Sequence, residues 1–133
     1  MALNQKKYFV IPNQNDISDR IIKSKLEIID NKVFMFEDDF FWERYDKASS
    51  DKIVDSISKE IKQNKSWSED LLLFGDEDGS CIKILIENLK IVSFTFDIDY
   101  KSNFYFFIRR VFFLCKENDL LILDDDFNIL NVP

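Results

Sequence analysis

From Ile91 to Tyr100 the chain reads IVSFTFDIDY, with apolar and polar residues in strict alternation from Val92 onward. Val92, Phe94, Phe96, Ile98 and Tyr100 fall on one side of a strand; Ser93, Thr95, Asp97 and Asp99 fall on the other. Two further apolar runs precede it. DLLLF (Asp70 to Phe74) leads into the turn GDEDGS, and CIKILIE (Cys81 to Glu87) is followed by NLK. Near the N-terminus, KKYFVIP (Lys6 to Pro12) is a short strand ended by proline. KLEIIDNKVFMFED places two apolar runs around Asp30-Asn31-Lys32, which is a hairpin signal. DLLILD and FNILNV give two more strands, hinged at Asp124-Asp125-Asp126. One wet face and one buried face suit an antiparallel sheet.

Three segments change period. NDISDRIIKSK puts Ile17, Ile21 and Ile22 on one helical face. SSDKIVDSISKEIKQN sets Ile53, Val54, Ile57 and Ile61 in a stripe, with Ser49 or Ser50 available as cap. SNFYFFIRRVFFLCKEN is apolar enough to predict a helix buried on most of its surface, opened by Ser102 or Asn103 and closed by Asn118. FFWERYDKASS is irregular or a short helix. The expected fold class is α+β: a mainly antiparallel sheet of five to seven strands with two or three helices packed on one face. With two Gly, two Pro and no repeat, residues 1–133 read as a single domain.

Charge then narrows the function. Residues 1–66 carry 12 basic and 12 acidic side chains, residues 67–133 carry 6 and 13, so the whole net charge of −7 lies in the second half. Such a half repels phosphate backbones, which argues against direct nucleic-acid binding, and attracts a basic protein or a cation. Acidity serving only solubility is the plainer alternative. No run approaches the roughly 18–20 apolar residues that span a bilayer, so no membrane role is expected. The opening MALNQKKYFVIPNQND has no apolar core of a secretory signal, and Cys81 and Cys115 are expected as reduced, buried thiols. The expected compartment is cytoplasmic.

Catalysis finds little to work with. The chain has no histidine, which removes the usual neutral-pH acid–base group and most Ser-His, Cys-His and zinc arrangements. It has no Gly-rich phosphate loop. Asp124, Asp126 and Asn128 have the first three spacings of a calcium loop, but Ile129 stands where glycine is required and the twelfth position lies beyond Pro133. Asp97 and Asp99, about 7 Å apart along one strand face, are the carboxylates a hydrolase would use. No catalytic residue, metal site or cofactor is therefore expected. A divalent-cation hydrolase built on Asp97, Asp99 and the Asp124 cluster is the enzymatic alternative.

The remaining candidates are partner-binding: Asp76, Glu77 and Asp78; Asp97 and Asp99; Asp124, Asp125 and Asp126; and Trp42 and Tyr45 as exposed interface anchors. Together with the segment FIRRVFFLCKENDLLILDDDFNIL, a helix running into an acidic strand–turn–strand, this character resembles the bacterial immunity proteins of contact-dependent inhibition and other polymorphic toxin systems. The resemblance implies a cytoplasmic inhibitor that binds a cognate basic toxin domain, often a nuclease, and occludes its active site or substrate groove. A non-catalytic acidic interaction module unrelated to toxins is the other reading.

Overall fold

The alternating segment from Ile91 becomes the central strand of the sheet. The structure is a computed structural model and describes residues 5–14, 17, 21, 39–76, 79–101, 105–126 and 128–130. In chain order the elements are β1 (Gln5–Pro12), α1 (Asp39–Trp42), α2 (Lys47–Glu60), β2 (Gln63–Asn64), β3 (Leu71–Gly75), β4 (Cys81–Glu87), β5 (Lys90–Asp99), α3 (Tyr105–Glu117), β6 (Leu120–Leu123) and β7 (Ile129–Leu130). One seven-stranded sheet runs β2-β3-β4-β5-β1-β6-β7, with every neighbouring pair antiparallel. The α+β class holds, with α2 and α3 in one layer on one face. The edge strands β2 and β7 are two residues each, short enough to offer little template for unwanted pairing. The hairpin expected around Asp30-Asn31-Lys32 lies outside the described residues, as does most of the helix expected around Ile17 to Ile22. Among the described residues no helix is long and apolar enough to cross a membrane.

The main core lies between the sheet and the two helices. Phe94, Phe96 and Ile98 of β5, Ile82 and Ile84 of β4, and Tyr8 and Val10 of β1 meet Ile53 and Ile57 of α2 and Val111, Leu114 and Cys115 of α3. Fully burying one such aliphatic or aromatic side chain contributes about 1.5–3 kcal/mol. The far face carries a smaller cluster: Ile11, Ile17, Ile21, Phe41 and Leu123. The single turn of α1 feeds both clusters, Trp42 entering the main core and Phe41 the smaller one.

The alternation of β5 is interrupted once. Leu85 pairs with Ser93 but Ile86 pairs with Ile91, so Val92 is the extra residue of a bulge. Ile91 consequently turns into the core, fully buried, and Val92 is only half-buried. Ser50 locks this irregularity to α2: its Oγ accepts the Ile91 N–H at 3.1 Å and donates to the Asp46 carbonyl at 2.8 Å. The expected cap role of Ser49 or Ser50 therefore passes to Asp46. Its Oδ1 accepts the Ser49 N–H at 2.7 Å, and the bonds from Ser49 hold its carboxyl below the usual carboxylate range.

α3 corrects an expectation. Val111, Leu114 and Cys115 are buried, but Tyr105, Phe106, Arg109, Arg110 and Phe113 are exposed. A helix in a single layer meets the sheet along one stripe only, whatever its apolar content.

Both cysteines are free and buried. Burial pushes the Cys115 thiol from 9.0 up to about 12. A group whose folded pKa is raised contributes its stability below the unfolded pKa and loses it as pH rises towards the folded one. Urea midpoints should therefore stay level from pH 7 to about 8.5. They should then fall above pH 9, by up to about 1.4 kcal/mol per pH unit for each such group, with the buried phenol of Tyr8 adding to the loss. The Cys115→Val variant should fall less steeply. A midpoint unchanged at pH 11 would contradict this burial.

Candidate functional site

Strand direction decides where the acidic residues go. The pairings Gly75–Cys81, Cys81–Asp97 and Lys7–Asp97 make one row across the sheet, and Phe9–Leu123 lies two residues further in along β1. Thus β3, β5 and β6 end, and β1 and β4 begin, at the same end of the sheet. The β3–β4 turn with Asp76, the end of β5 with Asp97 and Asp99, and the β6–β7 turn with Asp124 to Asp126 all lie there. β4 and β6 are three strand spacings apart, roughly 14 Å, so these turns form a rim. Glu77 and Asp78 of the first turn lie outside the described residues.

Each turn is held by its own chemistry. Gly75 opens the first with φ +93°, and a Cβ there would meet the Ser80 carbonyl oxygen at 2.6 Å, so no other residue fits. The Asp76 N–H donates to the Ser80 carbonyl and the Gly79 N–H to the Asp76 carbonyl. Ser80 ties this turn to β5 by accepting the Asp99 N–H on its Oγ at 3.0 Å, and Asp99 Oδ1 accepts the Lys101 N–H at 3.0 Å. In the last turn, Asp124 Oδ1 accepts the N–H groups of Asp126 and Asn128, both at 2.9 Å. Asp124 is thus a turn-building residue, whereas Asp125 and Asp126 are exposed. Lys6 Nζ stands 3.8 Å from Asp125 Oδ1, a loose exposed pair worth little.

Asp97 departs from expectation. Its polar strand face was to be solvated, yet Asp97 is only 6 % exposed and Thr95 is buried beside it. Its Oδ2 lies 3.4 Å from Lys83 Nζ and 3.9 Å from the Cys81 thiol, which donates to it. Flanked by β4 and β1 in the middle of the sheet, Asp97 meets little water even near the strand end, and the ion pair with Lys83 compensates the burial. Asp97 is therefore an internal, paired carboxylate and Asp99 the outward one. Among the described residues, no three His, Cys, Asp or Glu side chains converge as a metal-binding group.

The aromatic anchors also move. Trp42 was expected on the surface; it is 1 % exposed, stacked on Phe94 at 6.2 Å and edge-on to Tyr45 at 4.9 Å. Tyr45 is half-buried against the same core, and burial, then the charges of Asp46 and Asp119, raise its phenol. Neither sits at the acidic end. Tyr100 does lie there, 42 % exposed, its hydroxyl bonded to that of Tyr8. Burial first, then Tyr100, then the charges of Asp125 and Asp124 raise the Tyr8 phenol. Alternation assigned Tyr100 to the core face; its place at the end of the alternating segment, just past β5, was the signal for the rim.

The assembled surface is an acidic sheet end of Asp76, Asp99, Asp125 and Asp126, with Tyr100 at its edge. Comparison of the chain with protein-family models, curated proteins and solved structures returns no match.

Proposed function

We propose that this chain is a non-catalytic inhibitor of the immunity type, acting in the cytoplasm, whose acidic sheet end docks on a basic toxin domain and covers its active site or substrate groove. The observation that carries the reading is the gathering of three separate acidic segments at one end of the sheet by strand direction. In this reading Asp99, Asp125 and Asp126 occupy positions that substrate phosphates would take on the toxin, pairing with its Lys and Arg side chains. Tyr100 supplies desolvated contact area at little entropic cost. Long-range attraction speeds encounter, and the short-range pairs slow release.

Co-purification of the protein from its native cells at low salt, followed by mass spectrometry, tests this. The expected result is a stoichiometric basic toxin fragment released by high salt. The double variant Asp125→Lys/Asp126→Lys should then lower the association rate at least tenfold at low salt and leave the melting temperature nearly unchanged, because both side chains are exposed. Recovery of the protein alone, or association indifferent to salt and to this variant, would sink the proposal.

A further inference from the structure

The exposed side of α3 carries a pattern that the fold does not use. Phe106, Arg109, Arg110 and Phe113 follow the spacing i, i+3, i+4, i+7, which sets them in one stripe about 10 Å long, opposite the buried Val111, Leu114 and Cys115. Phe106 is 62 % and Phe113 60 % exposed, unusual for the side chains that contribute most to cores elsewhere in this chain. Together with Glu60 at the end of α2 the four line a groove of about 300 Å³.

The two guanidiniums are held rather than free to wander. Arg109 lies over the Tyr105 ring at 5.6 Å, and Arg110 Nη1 donates to the Glu60 carbonyl at 3.1 Å. Neither meets a carboxylate among the described residues. Each therefore retains N–H donors beyond the contacts given, with phenyl side chains at both ends of the stripe. Against one carboxylate at Glu60, the groove is net positive on a chain of net charge −7.

We infer that this stripe is a second docking surface, and that its occupant is a segment of a partner protein carrying Asp or Glu beside large apolar side chains. A guanidinium takes a carboxylate through two parallel hydrogen bonds, strongest where flanking aromatic surface excludes water. The exposed phenylalanines are the complementary half, taking the apolar side chains of the same segment; aromatic residues and Arg together are the composition of interface hot spots. A nucleic acid fits less well, because the phosphates flanking the groove would face an acidic protein. The stripe lies on the helical layer rather than on the strand ends and their turns, and the inference does not depend on the toxin reading.

Selection of random twelve-residue phage-displayed peptides on the immobilised chain tests the inference, with counter-selection on the Phe106→Ser/Phe113→Ser variant. Survivors should be rich in Asp or Glu interspersed with Leu, Phe or Trp, and their synthetic versions should bind Arg109→Glu at least tenfold more weakly than the unaltered chain. Equal melting temperatures of the variants guard against unfolding. Failure to recover any peptide that discriminates the two proteins, or survivors without an acidic excess, would overturn the inference. So would sedimentation showing a dimer that Phe106→Ser/Phe113→Ser abolishes, because the occupant would then be a second copy.

Discussion

Trp42→Ala is expected to lower the unfolding free energy by about 3–5 kcal/mol, the range for deleting a large aromatic from a packed core. Trp42→Phe should cost less than about 1.5 kcal/mol. The difference rests on an atom, not on volume alone. Trp42 stacks on Phe94, packs edge-on against Tyr45 and is fully enclosed, so alanine forfeits all of those contacts. Its indole Nε1, however, finds no hydrogen-bond partner among the described residues. A buried donor left unpaired costs about 1–3 kcal/mol, and phenylalanine removes that donor and keeps a ring stacked on Phe94. The gain offsets much of the lost volume. Urea denaturation followed by circular dichroism would measure both variants. A phenylalanine variant as unstable as the alanine one would mean that the indole N–H is satisfied in solution.

The role of Trp42 shows where sequence stops being informative. Two tryptophans stand in the chain, and type alone suggested a surface anchor. Position decides otherwise: Trp42 follows Phe41 on a one-turn helix that feeds two clusters, whereas Trp67, between β2 and β3, is the strongly exposed one. Strands β4 and β5 and the stripe of α2 were legible because their periodicity spans several turns or pleats, each buried residue supporting the same answer. The two-residue strand β2 carries too few residues for any period, whereas β7 falls within the apolar run FNILNV that marked a strand. The bulge at Val92 was hidden for another reason. Parity along one strand cannot report an extra residue, because the irregularity exists only in relation to β4. Alternation likewise says which face Asp97 occupies, but not whether that face is wet. The helix after β5 was read as mostly buried from its aromatic content; the number of layers packed on it, which sets how much is covered, is a property of the assembled fold. Strand direction alone places the candidates at strand ends and turns: Asp99, Asp125 and Asp126 come to one end of the sheet.

Replacing Lys83 with methionine is expected to cost about 2–4 kcal/mol, whereas Lys83→Met/Asp97→Leu should return to within about 1.5 kcal/mol of the unaltered protein. Removing one partner of a buried pair leaves a charge without compensation, at about 3–5 kcal/mol, while replacing both with apolar residues is often neutral or stabilising. Here the lower end applies, because Lys83 keeps 29 % of its side chain exposed and the pair is partly screened. Asp97→Leu alone should be the milder single change, since the lysine it abandons can extend into water. Four urea midpoints at pH 7 complete the cycle, and additive costs would show that the 3.4 Å approach carries no coupling. The same variants separate structure from function at the acidic end. Under the proposed function, an internal Asp97 should give the double variant normal binding of a basic partner, whereas Asp125→Lys/Asp126→Lys, which alters only exposed side chains, should lose it. If instead the apolar double variant folds stably but no longer binds, Asp97 reaches the partner, and the docking surface extends from the rim onto the face of the sheet.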